Sequence, residues 1–396
     1  MRYNFFVSSI FPLIFLWSVA ALWAQALLWT HYCLKRQTPL APANFGDGKH
    51  PLVSIIVPAR NEAKRIPEKS LSSMLAQNYG NFELIVLNDR STDETGKILR
   101  KIRERNRKLQ IIDGAEPSAE WLGKPHALEQ AFRRASGEWI LATDADVVFA
   151  PETVSTAVSH AEELDLDALT LLPGQIYGSF WEKIFIPVFE WFCVLRAPLH
   201  RVNDPRRAET LGAGNFFMIR RGVLEKIGGF ESVKSEVAED LKLAEIIKSN
   251  GFRLRIDYAP DLIQTRMYAS FAEIWSGFTK NFFPAMNFSF SKTFLGSLSI
   301  FLFGVLPLPT AILFFMNGNF ALAAPLAAAY AFQTLLFALV RKKWRGGVLY
   351  AFSAPLGLAM FAAILINSAG KVLSGKGFKW KDRSIYEKGG APPFNQ

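Results

Sequence analysis

Cysteine is almost missing from this sequence: Cys33 and Cys193 are the only 2 among 396 residues. Two isolated thiols without ligand-like spacing give neither a disulfide framework nor a metal site, and such usage is consistent with a reducing compartment. Glycine-rich phosphate loops are missing too. Neither Gly-x-Gly-x-x-Gly nor Gly-x-x-x-x-Gly-Lys-Ser/Thr follows the first strand-like run, Leu52-Val53-Ser54-Ile55-Ile56-Val57, which counts against a dinucleotide enzyme or a P-loop NTPase. The formal charge is +10, but no helix-turn-helix, RNA-binding aromatic motif or zinc pattern accompanies it. Nucleic acid is therefore discounted as a partner.

Charge itself is lacking over three long stretches, Phe5 to Trp29, Thr293 to Val340 and Gly346 to Gly370. A bilayer span needs about 20 apolar residues, so these runs offer one, two and one candidate spans. The first reads as an uncleaved anchor, because its apolar core exceeds a signal-peptide h-region and no small-x-small cleavage site precedes Lys35. Arg2 precedes it, whereas Lys35 and Arg36 follow it; positive charge stays in the cytoplasm. Asn317-Gly318-Asn319 should turn the long run into a hairpin, and Pro355 and Gly357 leave the last segment either crossing or re-entrant. Lysines and arginines cluster beside these segments at Arg341 to Arg345 and Lys371 to Arg383, where anionic lipid headgroups are the nearer partner. The expected organisation is an anchor at 1–34, a Pro- and Gly-containing linker at 35–50, a polar domain at 51–292, C-terminal transmembrane segments at 293–370 and a basic tail at 371–396. The protein is expected to be multi-pass in the inner membrane, with the polar domain cytoplasmic.

Within that domain, strand and helix patterns alternate. The β-branched run ending at Val57 is followed by a short helical pattern at Ser70 to Ala76 and a second strand, Phe82 to Leu87. A charged helix from Ser91 to Lys108 leads to a third strand, Leu109 to Ile112; a helix from Lys124 to Ala135 leads to a fourth, Glu138 to Thr143. This alternation predicts an α/β fold with a mostly parallel, doubly wound sheet. Ligands in such sheets bind at the carboxyl ends of the strands, where Pro58 to Glu62, Asn88 to Asp93 and Asp144 to Asp146 would line one crevice. Asp144 and Asp146 supply two hard oxygen ligands of the kind that bind Mg²⁺ or Mn²⁺ while leaving positions for substrate phosphates.

Several motifs in order carry a resemblance: Val53 to Glu62 (VSIIVPARNE), Asn88 to Thr95 (NDRSTDET), Gly123-Lys124 and Asp144-Ala145-Asp146. Over residues 52 to 280 the chain resembles the family 2 glycosyltransferases, whose GT-A fold is a Rossmann-like domain that binds a nucleotide sugar. The resemblance implies donor-binding roles for Pro58, Glu62, Asp89, Lys124 and Asp144, with Asp89 on the uracil, Glu62 at the nucleoside and Asp144 at the ribose. Asp146, with Asp144, would hold the metal. A lysine at a helix start beside a diphosphate would neutralise charge, although Lys124 also reads as a plain surface residue. Glu239-Asp240 resembles the catalytic dyad, with Asp240 as base, and the small residues at Leu211 to Asn215 lie where the family keeps its sugar and acceptor site. Asp93 reads as first-turn helix chemistry and His126 as either packing or solvent-facing.

Gln264-Thr265-Arg266 lacks the Gln-x-x-Arg-Trp spacing of processive synthases, and Arg266 is expected to meet the diphosphate. Arg266-Met267-Tyr268 with Trp275, Gly277, Lys280 and Asn281 looks like membrane relatives that glycosylate hopanoids, carotenoids or other lipids. The function implied is inverting transfer from a UDP-sugar to a lipid acceptor. A polysaccharide synthase and a non-catalytic nucleotide-sugar-binding membrane partner are the alternatives. Phe180 to Arg196, crowded with aromatics but carrying Glu182, Lys183 and Glu190, reads either as an interfacial helix at about 179–197 or as a core helix under the sheet.

Overall fold

A computed structural model describes residues 2–43, 50–63, 68–380 and 383–387. The chain divides into two compact units, one made of Gln37–Ile176 and Ala197–Met267, the other of Met1–Arg36, Tyr177–Arg196 and Tyr268–Gln396.

The first unit is built on a seven-stranded sheet. Its strands are β1 (Val53–Ala59), β2 (Phe82–Asn88), β3 (Leu109–Asp113), β4 (Trp139–Ala142), β6 (Ala168–Leu172), β8 (Phe217–Arg220) and β9 (Leu254–Tyr258). Shorter strands β5 (Val148–Phe149), β7 (Gly174–Gln175) and β10 (Ile263–Thr265) form a second sheet. The order in the large sheet is β3-β2-β1-β4-β8-β6-β9. The four strands from β3 to β4 are mutually parallel, as the strand and helix alternation predicts. The departure is β8, which runs antiparallel to both β4 and β6. The right-handed rule for parallel crossovers does not bear on an antiparallel pair.

Both faces of the sheet are covered, which explains why β1 and β2 read as apolar runs without alternation. Val53, Ile55, Val57, Val86 and Leu141 point into one core, and Ile56, Ile85, Leu87, Ile140 and Ile219 into the other. Each such buried side chain contributes about 1.5–3 kcal/mol relative to exposure. In the register, Ala59 pairs with Asn88 and Ile56 with Ala142. β1 and β2 therefore stop level, β4 ends earlier, opposite Ile56, and the loops after all three leave the same edge of the sheet.

Several helices are shorter than their sequence patterns. The charged helix covers Thr95–Arg105, because Asn106 adopts extended backbone at its end, and the next one covers Gly123–Phe132. Where a linker is expected, Pro39 bridges Tyr258 and the Leu40 N–H donates to the Tyr258 carbonyl at 2.8 Å. Ala43 bonds the Thr156 hydroxyl at 2.9 Å. These residues satisfy backbone groups beside the edge strand β9, a role that linker-like composition does not advertise. Residues 44–49 of the expected linker lie outside the described residues.

The second unit is helical. Among the described residues, four helical stretches are long and apolar enough to cross a membrane: Phe11–Lys35, Phe290–Met316, Phe320–Lys343 and Val348–Leu373. They carry outward-facing apolar side chains, including Leu28, Phe315, Met316 and Leu349, which a bilayer would cover. Gly318, at φ +71°, turns the chain between the middle two, and Asn319 caps the following helix by accepting from the Leu322 N–H at 3.3 Å. The Phe180–Arg196 helix buries Ile184, Phe185 and Val188 among the helices of this unit. Its Trp191 donates to the Thr30 hydroxyl at 3.0 Å and stacks on Trp23.

Candidate active site

The loops after β1 and β2 are stitched together. Asn61 and Arg90 adopt left-handed backbone, at φ 51° and 54°. Asn61 Oδ1 accepts from the Thr92 N–H at 2.8 Å, Thr95 Oγ1 accepts from the Glu62 N–H at 2.8 Å, and Arg60 donates to the Asp89 carbonyl at 2.9 Å. Asp93 spans both loops, taking the Thr95 N–H on Oδ1 and the Ala63 N–H on Oδ2, each at 3.0 Å. Its slight burial is outweighed by these donors, which hold its pKa below the usual aspartate range. Asp93 is thus a clamp as well as a helix starter. The clamp presents Glu62 and Asp89, both largely buried, at the ends of adjacent strands.

Beyond β4 a second group forms around one ammonium. Lys124 opens the Gly123–Phe132 helix, and its Nζ lies 2.8 Å from Asp144 Oδ1 and 2.7 Å from Glu239 Oε1. Burial disfavours the Lys124 cation, but Asp144, Glu239 and Asp240 together outweigh it and hold its pKa well above the usual lysine value. Glu239 is itself buried, and burial pushes its pKa up against the pull of Lys124. Glu239 and Asp240 begin the Glu239–Ser249 helix. Asp240 is oriented by two backbone donors, Gly214 N–H to Oδ2 at 2.7 Å and Leu241 N–H to Oδ1 at 2.9 Å.

Two glycines make this geometry feasible. A Cβ on Gly212 would lie 2.1 Å from the Asp240 carbonyl oxygen, so only glycine fits there. A Cβ on Gly214 would lie 2.9 Å from Lys124 Nζ, 3.3 Å from Asp240 Oδ2 and 3.6 Å from Asp144 Oδ2. The bare backbone at Gly214 therefore faces three charged groups at once.

Asp146 leads directly into β5. Strand β10 pairs antiparallel with it, Ile263 opposite Phe149 and Gln264 opposite Val148. Arg266, exposed, follows the end of β10. Among the described residues, no group of three or more His, Cys, Asp or Glu side chains is arranged to hold a metal. Asp144 and Asp146 supply the hard carboxylate oxygens that a Mg²⁺ or Mn²⁺ ion would take, and one or two protein carboxylates are what such ions commonly use. Asp144 Oδ2 faces the Gly214 backbone while Oδ1 meets Lys124.

Of the residues singled out from sequence, Lys124, Asp144, Glu239 and Asp240 come together around Gly214. Glu62 and Asp89 meet at the neighbouring strand ends, just past Pro58 near the end of β1. Sequence reasoning missed the structural parts played by Asn61, Asp93 and Thr95; the only signal was a cluster of turn-forming residues after each strand. His126 packs edge-on against Trp121 and contacts Gln130, as the packing alternative implies.

Residues 54–228 match the family described as Glycosyl transferase family 2. A 4,4'-diaponeurosporenoate glycosyltransferase from Staphylococcus aureus is 27% identical over 235 residues, which make up 59% of this chain and 61% of that relative. The chain therefore spans less than two thirds of the length of this curated relative. Among solved structures, the mannosyltransferase PcManGT from Pyrobaculum calidifontis, in complex with GDP-Man and Mn²⁺, superposes with a TM-score of 0.53 at 23% identity, over 90% of this chain and 99% of that one. That likeness concerns the fold alone.

Proposed function

From a chain that carries a family 2 glycosyltransferase domain of GT-A-like fold, we propose that the protein transfers a sugar from a nucleotide donor, of the UDP-sugar type, to a lipid acceptor at the cytoplasmic face of the inner membrane. The observation that carries the reading is the group at the β4 edge: Lys124 between Asp144 and Glu239, with Asp240 held against Gly214. A donor-binding lysine and a pre-aimed carboxylate within one cluster suit group transfer better than ligand storage.

In this scheme Asp89 accepts the imide proton of the base, Glu62 and Pro58 bound the nucleoside, and Asp144 holds ribose. Lys124 and Arg266 meet the diphosphate. Asp240 takes the proton of the acceptor hydroxyl as its oxygen attacks the anomeric carbon, the bond to the diphosphate breaks on the opposite face, and the nucleoside diphosphate leaves with inversion. Glu239 positions Lys124. A Mg²⁺ or Mn²⁺ ion held by Asp146 and Asp144 would neutralise the leaving diphosphate.

The lipid acceptor is supported by the four apolar helices on the same chain and by the carotenoid acid in the name of the Staphylococcus aureus relative. The absent Gln-x-x-Arg-Trp spacing weighs against long polymers. The test is incubation of the detergent-purified chain with radiolabelled UDP-sugars and a membrane lipid extract, followed by mass spectrometry. A new glycolipid of defined mass is expected. A label found only in a water-soluble polymer would replace this reading with that of a polysaccharide synthase.

A further inference from the structure

The Lys124 ammonium touches the carboxylate assigned to the metal on one side and the partner of the base on the other, 2.8 Å from Asp144 and 2.7 Å from Glu239. On a third side it faces the bare backbone of Gly214, where a Cβ would lie 2.9 Å from Nζ. The site therefore already places a cation where a divalent ion would draw on Asp144. We propose that Lys124 is a positioning residue that competes with the divalent cation for the Asp144 carboxylate, making metal binding conditional on a diphosphate.

The inference rests on the metal reading given above and follows from charge. A divalent ion entering at Asp144 and Asp146 meets a monovalent cation 2.8 Å from Asp144, and although both side chains are partly open to solvent, which screens the charges, the two cations repel at that range. The buried Glu239 carboxylate, 2.7 Å away, holds the ammonium beside Asp144. A diphosphate reverses the balance, because its oxygens can accept hydrogen bonds from Lys124 while ligating the ion. Metal and nucleotide then enter as one unit. Lys124 turns from Asp144 toward the phosphates and keeps its bond to Glu239, beside the base.

The test measures free Mn²⁺ by electron paramagnetic resonance over the full chain in detergent, with and without UDP. Wild type should bind Mn²⁺ at least about tenfold more tightly with UDP than without it. Lys124→Met, which removes the competing charge, should tighten nucleotide-free binding by about tenfold and shrink the UDP effect. Lys124→Arg, still cationic, should retain the wild-type pattern. If Lys124→Met does not fold, Lys124→Gln carries the same expectation. Unchanged or weaker nucleotide-free binding in the neutral variants, with wild type still binding Mn²⁺ and UDP together, overturns this inference alone. Absence of Mn²⁺ binding by wild type even with UDP overturns both it and the metal reading.

Discussion

Two acids begin the Glu239–Ser249 helix, and their surroundings separate their roles. Glu239 is buried and committed to Lys124 at 2.7 Å, so its proton chemistry is bound up with that cation. Asp240 lies in the field of the same ammonium but, among the described residues, makes no ion pair with it. Its oxygens take two backbone N–H groups that fix its direction and leave their other lone pairs available. A first-turn acid also stabilises its helix through the dipole, and the two explanations diverge in Asp240→Asn. If the residue is merely structural, the amide costs about 1 kcal/mol or less and the enzyme works. If it is the base, transfer falls by about 10²-fold or more while UDP affinity stays near wild type, since the base meets the acceptor. We expect the second outcome. Transfer rate measured beside calorimetric UDP titration distinguishes them, and near-normal transfer would move the base to Glu239.

At the scale of elements, much of the site was legible because Glu62, Asp89 and Asp144, three of the residues proposed to bind the donor, follow places where an apolar strand run stops. The stops at Val57, Leu87 and Thr143 marked the carboxyl edge from composition alone, and the register of β1 with β2 and β4 brings those ends to the same edge of the sheet. The pairing of Lys124 with Glu239 was not legible, since nothing local connects residues so distant in sequence. The antiparallel β8 was equally hidden, because strand direction leaves no trace in a four-residue apolar run. Asp93 illustrates a third kind of miss. It looks like a helix-start acid and is one, but the same carboxylate also takes the Ala63 N–H. Two loops thus depend on one side chain. Asp93→Ala should lower the melting temperature by a few degrees, as expected for loss of a cap worth about 1 kcal/mol, and should also weaken UDP binding several-fold, although Asp93 is not proposed to touch the nucleotide. Calorimetry and UDP titration on the same sample check both. A stability loss with unchanged affinity would mean that Glu62 keeps its place without the clamp.

For the whole molecule, charge and helix geometry make opposite demands on how often the chain crosses the bilayer. Charge argues for an odd count of C-terminal crossings avoided: a third would carry the basic tail outward, against the positive-inside tendency. Helix geometry argues the other way. Pro355 and Gly357 had suggested a re-entrant break, but both lie in the first turn of the Ala354–Leu373 helix, where a proline costs no hydrogen bond. The helix then runs unbroken for 20 residues, about 30 Å at 1.5 Å per residue, which matches the hydrocarbon core. A re-entrant segment needs an interruption at membrane depth, and this helix has none. We therefore expect all four candidate helices to cross. In a chain with Cys33 and Cys193 replaced by serine, single cysteines at Gly318, Gly347 and Ser374 read out the topology with a membrane-impermeant maleimide. Gly318→Cys and Ser374→Cys should react in intact spheroplasts, whereas Gly347→Cys should react only after permeabilisation. Protection of Ser374→Cys in intact spheroplasts would make the last helix re-entrant, and labelling of Gly347→Cys there would reverse the orientation proposed for the catalytic unit.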